Sequence, residues 1–117
     1  MKLATRLTHI ETAEELKNTI TKNDNVMVCC GRMGPMCIPV YRTMETLEGQ
    51  YGHVAFRDLD FDSPEAGVIR NLDACRGFMG LPFTVYYKNG KVVQATTSLQ
   101  TKEQITGILD RQFCKNA

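Results

Sequence analysis

The chain has 117 residues, of which 43% are hydrophobic and 23% charged, the balance of one folded globular domain and not of a disordered segment. Fourteen basic residues stand against thirteen acidic ones, a formal net charge of +1, so no excess of either sign points to a nucleic-acid or anionic-membrane partner. No apolar stretch reaches the roughly 18 residues of a membrane span, and a chain this long folds without needing a metal or a disulfide.

Met1 to Arg6 lacks the apolar core of a leader peptide, and a cytoplasmic chain is expected. Thr5 to Ile10 is expected as a first strand. Thr12-Ala13-Glu14-Glu15 has the capping-box form, in which the Thr hydroxyl accepts a free helical amide and the Glu reaches back. Leu16 and Ile20, four apart, carry this helix's apolar stripe to the polar turn Lys22 to Asn25. Val26 to Cys30 is an unbroken apolar run, the pattern of a central strand covered on both faces. Gly31 to Pro35 turns into a second helix, with Pro35 at the first position, where no amide is required. Val40, Met44 and Leu47 mark its buried side, and Pro39, expected inside it, predicts a kink.

His53 to Asp58 is the next expected strand. Ser63 and Pro64 then start a third helix toward Asp73, with Ser63 as its cap. Gly77, Gly80 and Pro82 hold a loop. Phe83 to Tyr87 and Lys91 to Ala95, joined through Asn89-Gly90, read as a hairpin. Thr101 to Gln104 repeats the capping box, and Ile105, Ile108, Leu109 and Phe113 share one face of the last helix. The order β-α-β-α-β-α-β-β-α predicts a single α/β domain over residues 1–117, a mixed sheet between two helical layers.

This order is similar to the thioredoxin family from Thr5 to Phe113, with Gly34-Pro35 after a buried strand, and Gly80-Leu81-Pro82 ahead of a strand and Lys88-Asn89-Gly90-Lys91. The resemblance implies a thioredoxin-like three-layer fold. It also implies a cis bond before Pro82, which would lie against the redox centre where nearby backbone pairs with the substrate. Gly34-Pro35 matches the middle of the family's Trp-Cys-Gly-Pro-Cys. In that register Met33 and Met36 stand where the family has its cysteines, Arg32 where it has tryptophan, and Met27 where it has a buried acid. A thioether neither ionises to a nucleophile nor closes a disulfide. The stretch from Val68 to Arg76 is longer than in a compact member.

Cysteines stand at 29, 30, 37, 75 and 114, and in a reducing compartment they are expected to rest as thiols. Cys37 is expected in the first turn of the second helix, where free amides and the helix dipole favour a thiolate. One residue past the family's second cysteine, its side chain is turned about 100° round the helix. Cys30 is its expected internal partner if the loop folds back, since a bridge requires Cα atoms within about 7 Å. Cys29 alternates with Cys30 and is expected in the core. Cys75 is read either as a packing residue or as a resolving thiol near the Pro82 loop. Cys114, beside Lys115 and Asn116, is expected at an exposed end. These spacings match no compact zinc set. His9 and His53 have no acid-base partner evident in the sequence, and Asp58, Asp60 and Asp62 read as a solvated row.

Two function classes follow. The first is a thiol-disulfide oxidoreductase or redox-responsive protein, with Cys37 attacking and Cys30 or Cys75 resolving. Its partners are a protein substrate and a dithiol reductant, and the thiols at 30, 37 and 75 favour it. A variant of this class is a sensor in which Cys37 alone is oxidised to sulfenic acid. The alternative is a non-catalytic module holding a protein or peptide in a groove made by Met33, Gly34, Pro35, Met36, Phe78, Leu81 and Pro82, where methionines adapt to varied partners. No cofactor or metal is expected in either.

Overall fold

The structure, a computed structural model describing residues 3–114, is organised around strand β2 (Asn25–Gly31), every residue of which from Val26 onward is buried. That burial follows from its place in the sheet, whose order is β1-β3-β2-β4-β5. Strand β3 (Ala55–Asp60) runs parallel beside it, with β1 (Thr8–Ile10) parallel on the outside. On the other side β4 (Phe83–Lys88) is antiparallel to β2, and β5 (Lys91–Thr97) pairs antiparallel with β4 at the edge. Asn89 and Gly90 both take positive φ, 53° and 81°, the backbone that a tight two-residue hairpin requires.

Helices α1 (Ala13–Lys22) and α3 (Gly67–Arg70) cover one face, where Leu16 and Ile69 join Val26, Val28, Val85 and Tyr87 in one core layer. Helices α2 (Ile38–Leu47) and α4 (Lys102–Gln112) cover the other, packing Val40, Met44, Leu47, Ile105 and Leu109 against Met27, Phe56 and Tyr86. Each such large apolar side chain stabilises the fold by about 1.5–3 kcal/mol relative to exposure. Capping boxes at Thr12–Glu15 and Thr101–Gln104 start α1 and α4. The α/β three-layer architecture is as expected. Among the described residues no helix is long and apolar enough to cross a membrane.

Local departures each have a cause. The first strand is shorter than expected because the Thr5 hydroxyl is bonded to Asp58 and to the Leu7 amide. Helix α2 opens at Ile38, so Pro39 falls in its first turn and removes no helical bond. A preceding turn leaves the Gly34 carbonyl accepting from both Cys37 and Ile38 amides. The third helix breaks after Arg70: Leu72 is extended (ψ 141°) and a single 3-10 turn, Asp73–Cys75, follows. That turn takes up part of the long Val68-to-Arg76 stretch and buries Cys75.

Candidate functional site

Strand β2 delivers the chain to Gly31, and the loop 32–37 carries it over the sheet end into α2. Met33 and Met36 lie on this loop with 40% and 44% of their surfaces exposed. Pro35 is exposed and Gly34 half-buried. Opposite, the Leu81–Pro82 bond is cis, with Pro82 buried and Leu81 half-buried. The Gly80 carbonyl accepts from the Ser98 amide at 3.1 Å and from the Thr97 hydroxyl, and the Pro82 carbonyl accepts from Ser98 at 3.0 Å. Between them the Leu81 amide and carbonyl make no hydrogen bond among the described residues. Phe78 sets its ring edge on Phe83 (5.4 Å between centroids), leaving Met79 93% exposed at the tip.

Cys37 stands at the N-cap position of α2, with no capping bond from its side chain, and is 2% exposed. Its Sγ accepts from the Arg32 amide at 3.4 Å, and the Tyr41 hydroxyl donates to the Arg32 carbonyl at 3.1 Å. Gly31 is the point on which these groups close. A Cβ there would lie 2.8 Å from Cys37 Sγ, 2.8 Å from the Tyr41 oxygen and 3.0 Å from Pro82 Cβ. Gly31→Ala is therefore expected to cost about 1–3 kcal/mol through overpacking; denaturant unfolding measures it, and an unchanged midpoint refutes the close contact.

The internal thiols divide between the two core layers. Cys37 joins Cys29 under α2, while Cys30 lies with Cys75 on the α1/α3 side. Strand alternation is the reason, since Cys29 and Cys30 must point to opposite faces. No disulfide joins Cys37 to Cys30 or to Cys75. All five cysteines are free thiols. Burial pushes Cys30 up to about 12 and raises Cys29 and Cys75, which keeps these three protonated near neutrality. Cys114 is exposed, and Lys115 and Asn116 lie outside the described residues.

Met27 is fully buried, and a buried carboxylate is present on the neighbouring strand. Asp58, 1% exposed, stands opposite Cys29 in the β2–β3 ladder. It accepts from the Thr5 hydroxyl and is paired with His9 Nδ1 at 2.6 Å. Burial raises its pKa, and the bonds from Thr5 and His9 work against that rise. Two sequence readings are thus corrected: Asp58 is not solvated, and His9 has an acidic partner. The alternation was the available signal, because Asp58 shares its strand face with buried Phe56. Asp60 caps the Asp62 amide, and Asp62 takes two 2.8 Å bonds from the Arg32 guanidinium, which hold its carboxyl below the usual range. His53 donates through Nε2 to the Phe113 carbonyl at 2.8 Å, a packing role.

The arrangement therefore presents two exposed thioethers above a buried thiol and beside an unbonded peptide. A depression of about 450 Å³ adjoins Met33, between Leu3, Arg32 and Pro64. Among the described residues no group of three or more His, Cys, Asp or Glu is placed to hold a metal ion.

No family model matches the sequence, and no curated protein matches it. Solved structures do match. A mutant thioredoxin from Halobacterium salinarum aligns over 100% of this chain and 99% of its own, with 19% identity and a TM-score of 0.78. Fasciola hepatica thioredoxin covers 90% and 98%, with 20% identity and a TM-score of 0.75. Mitochondrial thioredoxin 3 from Saccharomyces cerevisiae, in its oxidised form, covers 89% and 94%, with 22% identity and a TM-score of 0.72. The chain has the thioredoxin fold.

Proposed function

We propose that this thioredoxin-fold chain is a binding module that holds an extended segment of a partner protein across Met33, Gly34, Pro35 and Met36, beside Phe78, Leu81 and Pro82. The observation that carries the reading is the exposure of two thioethers at the sheet end where every nearby thiol is buried. Methionine side chains are flexible and polarisable, and suit apolar partners of varied shape. The unbonded Leu81 peptide supplies one donor and one acceptor to an extended chain, and exposed Met79 widens the apolar rim.

Selection from a displayed random-peptide library tests it. The wild-type chain is expected to enrich extended, apolar-containing sequences that no longer bind after Met33→Glu and Met36→Glu. Equal recovery by the variant sinks the reading. So does acceleration of insulin reduction by dithiothreitol with the wild-type chain, which belongs to the oxidoreductase class instead.

One observation favours the redox-responsive alternative. The Arg32 amide donates to Cys37 Sγ at 3.4 Å, at the start of α2. In that reading Cys37 acts only when the loop 32–37 lifts, because its sulfur is covered at rest.

A further inference from the structure

Cys30 and Cys75 lie 45 positions apart in the chain, yet the fold puts both in the same core layer. Cys30, the last residue but one of the central strand, stands directly opposite Phe83 in the β2–β4 ladder. Cys75 closes the 3-10 turn Asp73–Cys75, and its carbonyl accepts from the Phe78 amide at 3.0 Å. Phe78 then returns to the same place by setting its ring edge on Phe83. Cys30 and Cys75 are thus tethered to the two members of one aromatic contact. Phe61, also edge-on to Phe83 at 5.3 Å, and Arg70, whose guanidinium lies 5.5 Å over Phe61, complete this corner.

We propose that Cys30 and Cys75 are a disulfide-forming pair, a second thiol site on the sheet face opposite Cys37, oxidised by a small-molecule disulfide. The two cysteines differ in access. Ala74 and Arg76 on either side of Cys75 are exposed, so a shift of one short turn brings its sulfur to solvent. Cys30 sits mid-sheet and is fully buried. Cys75 is therefore the first to react. Its thiolate attacks one sulfur of the oxidant RSSR, giving Cys75–S–S–R and releasing RS⁻. Cys30, as thiolate, then attacks the Cys75 sulfur, closing the protein disulfide and releasing the second RS⁻. The two thiol protons end on the two RS⁻ groups, so two protein thiols are oxidised and one RSSR is reduced to two RSH. The slow step is the second. Burial keeps Cys30 protonated, although the Arg70 charge beside it works in the opposite direction. Arg70 thereby favours the attacking form of Cys30 once the turn has opened.

The site is independent of the peptide-binding reading, and its test does not involve a partner. The full chain carrying Cys114→Ser is treated with oxidised glutathione, alkylated and digested with trypsin. The expected product links residues 71–76 to residues 23–32, with two titratable thiols lost. The link disappears in Cys30→Ala and in Cys75→Ala but persists in Cys29→Ala and Cys37→Ala. The map of the parent Cys114→Ser chain needs no core substitution and stands even if one of these variants misfolds. Recovery of 71–76 as a free alkylated peptide or as a lasting glutathione adduct overturns the proposal. So does a link from 71–76 to 33–42, or a link that survives Cys30→Ala.

Discussion

Replacing Met33 and Met36 together by cysteine is expected to give the chain a reversible disulfide between these positions and a dithiol activity above that of wild type. The loop 32–37 delivers both positions to the surface at the start of α2, and Gly34-Pro35 already stands between them. A thiol at position 33 has the N-terminus of α2 nearby, which stabilises a thiolate over the thiol. Insulin reduction by dithiothreitol is expected to run at least about tenfold faster with the double variant than with wild type, as thiolate exchange through a mixed disulfide requires. Each single variant is expected to stay at background, since a lone thiol cannot release its own mixed disulfide. Absence of a 33–36 disulfide in the oxidised double variant, or an unchanged rate, removes the expected correspondence of Met33 and Met36 with the cysteine positions of the thioredoxin family.

Asp58 is expected to give the fold a pH dependence that Asp58→Asn abolishes. Burial lifts its folded-state pKa above the ordinary 3.8, so between those two values the folded chain holds more protons than the unfolded one. Stability then falls as pH rises through that window: the contribution is complete below the unfolded value and lost above the folded one. The groups acting on this carboxyl are Thr5 and His9, which bond it, and Glu45, whose charge raises it further. Its own charge in turn acts on Cys29 and Tyr41. Urea unfolding from pH 4 to pH 8 is expected to show a shallower fall for Asp58→Asn than for wild type. Asp58→Ala, which leaves Thr5 and His9 without their acceptor, is expected to lose about 2–4 kcal/mol at any pH in the range. Parallel slopes for wild type and Asp58→Asn contradict the buried-carboxyl account.

The element order, the hairpin and both capping boxes were legible because each rests on local chemistry: Asn89-Gly90 for the turn, Thr12 and Thr101 for the helix starts. Long-range pairing was less so. The apolar run Val26 to Cys30 announced a central strand, but alternation along it separates Cys30 from Cys37, and that depends on which face α2 covers. Pro39 was expected inside a helix because the periodicity of Val40, Met44 and Leu47 does not say where the helix opens. The break after Arg70 had no marker, as neither Asn71 nor Leu72 forbids a helix. Asp58 was hidden among Asp60 and Asp62. Only its partners Thr5 and His9, about 50 residues earlier in the chain, make a buried carboxylate tolerable.

The contact at Gly31 has a mechanical consequence. Pro82, the Cys37 sulfur and the Tyr41 hydroxyl gather so closely round the Gly31 position that a Cβ there would meet all three. Pressure applied from outside at the Pro82 loop is expected to reach the first turn of α2 through this crowded point. A partner seated there is expected to change the exchange rate of the Ile38 amide, which donates to the Gly34 carbonyl at 2.9 Å. That proton serves as a gauge of occupancy on a surface it does not touch.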